Sequence, residues 1–358
     1  MNAIAPVIDR LRNPADLLAA LPYLLGFHPR DSLVLVTLEP GDPPAVDLVL
    51  RADLPPPGAE REVAEQVAAP LRTRRSPVAM LAVIGGRVDE PPPVVAAVRD
   101  VLAGLGLRPP LESWAESTEP GARWACLGTR CHSGVLPDST ASPLAAATAA
   151  AGLVTHASRD GLRRLVAPDD DAALQRRAGM LDRAVAAAEL DRALAGRPAV
   201  VRDLRVVHAA VRAAAGGRLP VGDHEVVRLA VALSDQQVRD LALGLCLGDE
   251  TAAPAERLWL ALTRATPPPE VAEPAALAAL SAYLRGEGAL AGMALERALL
   301  AWPGHTLATL ADRALRLALP PRQLRRLMQE AFADAELDLD GAAIDGGEGD
   351  TAGPPRPV

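Results

Sequence analysis

The chain has 358 residues, 49% of them hydrophobic and 23% charged, and Arg, Asp or Pro interrupts every long apolar run. No run reaches the roughly 18 residues of a membrane span, so the composition predicts a globular protein with two cores and no membrane partner. A net charge of −8, scattered arginine pairs and only two Phe, two Tyr and four Trp exclude a nucleic-acid surface, while the absence of lysine excludes Schiff-base and Walker-loop chemistry.

The N-terminal stretch carries no basic segment leading into an uninterrupted apolar core and no small-residue cleavage pattern, so export is not expected. Three cysteines, Cys126, Cys131 and Cys246, are an odd and sparse set that fits a reducing compartment, and the expected location is the cytoplasm. An apolar helix ends at Gly26. Two β-rich runs follow, 32–38 and 45–54, joined by "EPGDPP" as a hairpin or tight loop. In the second run Val46, Leu48 and Leu50 alternate with Asp47, Val49 and Arg51, which predicts one more polar face. A helix over 59–72 leads to "VAMLAVIGG" at 78–86, whose continuous apolar character suits a central strand covered on both faces. A helix at 93–104 and strands at 111–117 and 122–128 complete the pattern.

Beyond residue 165 the spacing turns helical. Asp169-Asp170-Asp171 opens a long helix that Gly196 and Pro198 stop, and further helices are predicted at 199–215, 222–233, 235–247, 254–264, 274–285, 288–301, 305–318 and 321–336. The expected fold is an α/β domain with a mixed sheet over 1–165, an all-α domain over 166–340 and a disordered tail over 341–358. Within 289–321, Ala291, Leu295, Ala298 and Pro303 have the spacing of a tetratricopeptide-like helix pair. A free-standing array needs about three units, so an alanine-rich bundle is the plainer reading.

Chemistry-bearing residues cluster in few places. In "LLGFHPRDSLV", Gly26 suits a left-handed helix cap, Pro29 stops the helix resuming, Phe27 can fold back over it, and Asp31 or Ser32 can bond local backbone amides. The functional alternative is a pocket at the sheet edge formed by Gly26, Phe27, His28, Asp31 and Ser32 with Arg51 and Asp53. The arginine there favours an anionic ligand. Cys126, Cys131 and His132 are a weak metal or thiolate constellation, because neither a second Cys pair nor a suitably spaced His partner exists and His156 is the nearest further candidate. The acidic run 335–348 lacks the closing Glu of a calcium loop. No H-E-x-x-H, G-x-S-x-G or strand-following G-x-G-x-x-G is present, so neither a reaction class nor a cofactor is legible.

Four stretches together carry a resemblance: "NPADLLAALPYLLGFHPRDSLVLV", "GRVDEPPP", "GARWACLGTRC" and "LRGEGALAGMALERALLAWPGHTLATLADRAL". On these the chain resembles the actinobacterial domain-of-unknown-function family four-one-nine-two, over most of residues 11 to 330. Members often carry adjacent cysteines near Cys131, where this chain has His132. The resemblance implies no activity. The leading functional expectation is a protein-interaction or regulatory module whose partner binds the helical domain. The alternatives are an enzyme or small-molecule binder using the pocket near 26–32, or a cysteine/histidine metal or redox site.

Overall fold

The structure is a computed structural model that describes residues 14–39, 45–73, 78–109, 111–127, 132–220 and 222–332. Described residues up to Arg164, with Glu287–Ala289 and Arg313–Ala318, form one compact unit, and the described residues of Leu165–Gly286, Leu290–Asp312 and from Leu319 onward form a second.

The first unit is α/β. Helix α1 (Pro14–Leu25) precedes strands β1 (Ser32–Glu39) and β2 (Ala45–Asp53), helix α2 (Glu60–Ala68), β3 (Val78–Ile84), α3 (Val94–Gly104), β4 (Leu111–Ala115), β5 (Arg123–Cys126) and β6 (Ser133–Val135). The short helices α4 (Pro143–Ala150) and α5 (Arg159–Arg163) close it. The six strands form one mixed sheet in the order β2-β1-β3-β4-β5-β6, in which only β3 and β4 run parallel. Successive residues point to opposite faces, so the apolar runs of β1 and β3 feed two cores. Leu33, Leu35, Leu81, Val83 and Trp114 pack against Ala64, Val67 and Ala68 of α2 and Val94, Val95, Val98 and Leu102 of α3. On the opposite face Val34, Val36, Met80, Ala82 and Ile84 meet Leu17, Leu18 and Leu21 of α1. Each fully buried Val, Leu, Ile or Met side chain among them contributes about 1.5–3 kcal/mol. The expectation of a central strand at 78–86 holds for this reason.

Three local expectations are corrected. Thr37 pairs with Leu48 but Leu38 with Val46, so Asp47 is an extra residue in edge strand β2. That bulge reverses the alternation and puts Val46 in the same core as Val49, while Leu50 joins the other. The helix expected over 59–72 is α-helical only to Ala68 and continues as a 3₁₀ turn over Ala69–Arg72, where Pro70 cannot donate an α-helical bond. Strand β6 and helices α4 and α5 are not expected from sequence, although Ser142 and Ser158 cap the two helices by accepting N–H bonds from Ala145 and Gly161 at 3.1 and 3.3 Å.

The second unit is helical: α6 (Asp171–Ala195), α7 (Arg197–Ala215), α8 (Asp223–Leu233), α9 (Gln236–Ala242), α10 (Ala252–Ala265), α11 (Ala272–Leu284) and the greater part of α12 (Gly288–Ala301) and α13 (Thr306–Arg316), with helical residues also at 321–332. The helix expected over 235–247 ends earlier and passes into a 3₁₀ turn, Leu243–Cys246. Asp170 caps α6 by accepting from the Ala172 and Ala173 amides at 3.0 and 3.2 Å. Gly196, at φ 57°, ends it and donates to Arg192 O at 2.8 Å. Every residue of α11 is buried, as befits a helix whose only charged residue, Glu273, is paired in the interior. Two charged knots lie within this unit. Arg177, 6% exposed, donates to Asp223 Oδ1 at 2.9 Å and Ala265 O at 2.8 Å and lies 3.3 Å from Asp169 Oδ2. Glu273 lies 3.0 Å from His305 Nε2 and 3.5 Å from Arg239 Nη1, all three being buried. Among the described residues no helix is long and apolar enough to cross a membrane.

Candidate functional site

One end of the sheet gathers the polar residues of the first unit. Strands β3 and β4 end there, at Ile84 and Ala115, and Ser32 at the start of β1 pairs with both Ile84 and Asp53, the last residue of β2. The carboxyl ends of parallel strands are where open α/β sheets bind ligands, since the connections leave the sheet on different faces and open a crevice.

Gly26 takes φ 79° immediately after α1 and ends it as the sequence predicts. The chain then forms a parallel bridge with a distant segment: His156 N–H donates to Gly26 O at 2.8 Å and His28 N–H to His156 O at 3.0 Å. Phe27, 1% exposed, is thereby fixed in the interior. His28 Nδ1 lies 3.1 Å from Thr118 Oγ1 and 3.3 Å from Glu119 Oε1, in the turn after β4. Asp31 is exposed and holds φ 43°, and its carbonyl accepts from Leu54 N–H at 2.8 Å. It crowds Gly85, where a Cβ would stand 2.7 Å from Asp31 Oδ1; with φ at 93°, Gly85 is a position that only glycine fills without strain.

Ser32 differs from expectation. Its hydroxyl bonds no local amide; it donates to Arg30 O at 2.6 Å and accepts from Arg51 Nε at 2.9 Å. Arg51 also donates through Nη2 to Asp53 Oδ1 at 2.5 Å, and its guanidinium carbon stands 5.7 Å from the Phe27 ring centroid. Arg159, on α5, reaches the other Asp53 oxygen at 3.6 Å. The seven residues expected from sequence as candidate binders thus lie at this end in two groups, His28 with Thr118 and Glu119, and Ser32, Arg51 and Asp53 with Arg159, while Phe27 is interior, Gly26 caps α1 and Asp31 crowds Gly85; Thr118, Glu119, His156 and Arg159 are not expected there from sequence.

The family model described as Domain of unknown function (DUF4192) matches residues 14–322. The chain belongs to this family. Every residue of the sheet-end cluster falls inside the DUF4192 span, as does the buried knot around Glu273. No curated protein and no solved structure matches the chain.

The cysteine constellation fares differently. Cys126 is buried on β5, in the core that α1 covers, and its backbone N–H donates to His132 O at 2.9 Å. His132 is exposed and Cys131 lies outside the described residues, as does the acidic run 335–348. Among the described residues no group of three or more His, Cys, Asp or Glu is arranged to hold a metal ion. Cys246, in the second unit, accepts from Ser281 Oγ at 3.2 Å, and burial pushes its thiol up to about 11, so it stays protonated at neutral pH.

Proposed function

We propose that the carboxyl end of the sheet in this DUF4192 protein is a small-molecule-binding site. The observation that carries the reading is that two polar groups, His28 with Thr118 and Glu119, and Ser32 and Arg51 with Asp53 and Arg159, contributed by four chain segments, lie at the sheet end where the one parallel strand pair among the described residues finishes. Structural need alone would be met by the glycine cap, the buried Phe27 and the two backbone bonds to His156. The fixed arginine and the partly exposed histidine go beyond that need. The cytoplasmic placement expected from the sparse cysteines belongs to the same proposal.

A second reading has its own support. Leu300, Trp302 and Leu310, on or beside α12 and α13, are exposed large apolar side chains, and such residues favour a protein partner for the helical unit. One experiment weighs the two. A thermal-shift panel of nucleotides, phosphorylated metabolites, amino acids and divalent metals is run on the wild type and on His28→Ala. A ligand at 100 times its dissociation constant adds about 2.7 kcal/mol, or roughly 5–10 °C for a unit of this size. The proposal expects at least one compound class to stabilise the wild type and to lose its effect in the variant. A flat panel, together with reproducible capture of a protein that Leu310→Glu abolishes, would replace it with the second reading.

A further inference from the structure

Asp53 closes an edge strand with its side chain 64% exposed, yet it holds arginines from two separate segments: Arg51 Nη2 at 2.5 Å on one oxygen and Arg159 Nη1 at 3.6 Å from the other. A solvated carboxylate gains little from such pairs, because water and side-chain entropy compete for it. Its partner Arg51 is held quite differently. The Arg51 side chain is only 11% exposed, its Nε is tied to Ser32 Oγ at 2.9 Å, and Phe27 underlies its guanidinium. Ser32 is in turn fixed by its bond to Arg30 O. A guanidinium kept in one plane and largely out of water has lost its freedom before any ligand arrives, and its fork suits the paired oxygens of a carboxylate or phosphate. A firmly placed arginine thus faces a loosely placed carboxylate, and Arg159, 41% exposed, borders the same spot.

We infer that the position of the Asp53 carboxylate is the anion subsite of the sheet-end site. A carboxylate or phosphate of the ligand takes this position between Arg51 and Arg159, and Asp53 is a built-in competitor that turns out to solvent when the ligand enters. The inference rests on the small-molecule reading above and adds to it the charge of the ligand and a residue that sets its affinity.

The test is calorimetric titration of the full chain with inorganic phosphate and, separately, with succinate, at fixed ionic strength. The proteins are the wild type, Asp53→Asn, Asp53→Asn combined with Arg159→Gln, and Asp160→Asn. Asparagine keeps the volume of the aspartate at an exposed position, and circular dichroism checks that each variant is folded. Asp53→Asn should bind at least one of the two anions about tenfold tighter than the wild type, the scale of a freed charge-assisted hydrogen bond. Whether phosphate or succinate gains more identifies which anionic group the subsite takes. Adding Arg159→Gln should cancel the gain, and Asp160→Asn, which removes the same charge from a neighbouring exposed position, should give none. An unchanged affinity in Asp53→Asn overturns the inference, as does a gain that survives Arg159→Gln or is matched by Asp160→Asn. If a neutral or cationic compound stabilises the wild type but not His28→Ala while Asp53→Asn stays unresponsive, the sheet-end site stands and the anion subsite falls. If the whole panel and Asp53→Asn are both silent, both fall.

Discussion

Phe27→Ala is expected to destabilise the sheet-containing unit by about 3–5 kcal/mol, the range for truncating a buried aromatic residue. Phe27 is among the largest fully buried side chains, at 1% exposure, and its neighbours cannot easily collapse into the space it leaves. Backbone bonds to His156 pin the chain on both sides of it, from Gly26 O and from His28 N–H. The ring also carries the Arg51 guanidinium at 5.7 Å, a contact worth about 0.5–2 kcal/mol depending on its exposure. Peptide-resolved hydrogen exchange measures the effect directly: amides of β1, β2 and β3 should lose protection. Phe27→Leu, which keeps most of the volume, should cost less than half as much. Equal protection in Phe27→Ala and the wild type would show that Phe27 contributes no packing.

Glu273→Ala should have a comparable effect on the helical unit. Glu273 is 5% exposed at the start of α11, between Arg239 of α9 and His305 just before α13. His305 Nδ1 accepts from Ala308 N–H at 3.0 Å and so caps α13, while Nε2 lies 3.0 Å from the Glu273 carboxylate. One carboxylate therefore answers the Arg239 guanidinium in the interior, while its 3.0 Å contact with His305 Nε2 lacks hydrogen-bond alignment. Removing it takes from the buried Arg239 guanidinium one of its two carboxylates and leaves Asp240 at 2.7 Å. Breaking a buried ion pair from one side costs about 3–5 kcal/mol, because the remaining charge has lost its compensation. Urea unfolding followed through Trp259 and Trp302, the tryptophans of this unit, should move its midpoint down by at least about 1 M, given a slope of about 1–3 kcal/mol per molar. Glu273→Gln, which keeps an acceptor at the same place, should lose clearly less. A midpoint within about 0.3 M of wild type for the alanine variant would mean that the knot adds no net stability.

Much of the fold was legible because it depends on short-range pattern. The continuous apolar run of β3 announced a strand with two covered faces, and the Asp-rich start and Gly196 stop of α6 were read correctly from cap chemistry alone. Features set by a partner strand or by one awkward residue were not. The Asp47 bulge exists because of the register between β1 and β2, and nothing in "AVDLVL" marks it. The 3₁₀ endings after α2 and α9 are small departures from a correct helical period. Strand β6, three exposed residues long, carries no periodicity to detect. The candidate site divides along the same line. The local string from Gly26 to Ser32 stood out because Gly, Pro and a short polar run punctuate two apolar segments, and Arg51 and Asp53 followed from the adjacent strand. Thr118 and Glu119 lie about ninety residues further along the chain. His156 and Arg159 come from still further, and no spacing rule links them to His28 or Asp53. Tertiary structure alone brings these partners together.

The measurement that tests the sheet-end site most directly is hydrogen exchange of the full chain with and without a compound that stabilises it. Binding at the proposed site predicts slowed exchange in peptides covering 26–32, 51–54, 116–119 and 156–159, with no comparable change in the helices beyond residue 165. Protection confined to those helices, or none in the four sheet-end segments, would contradict the proposal.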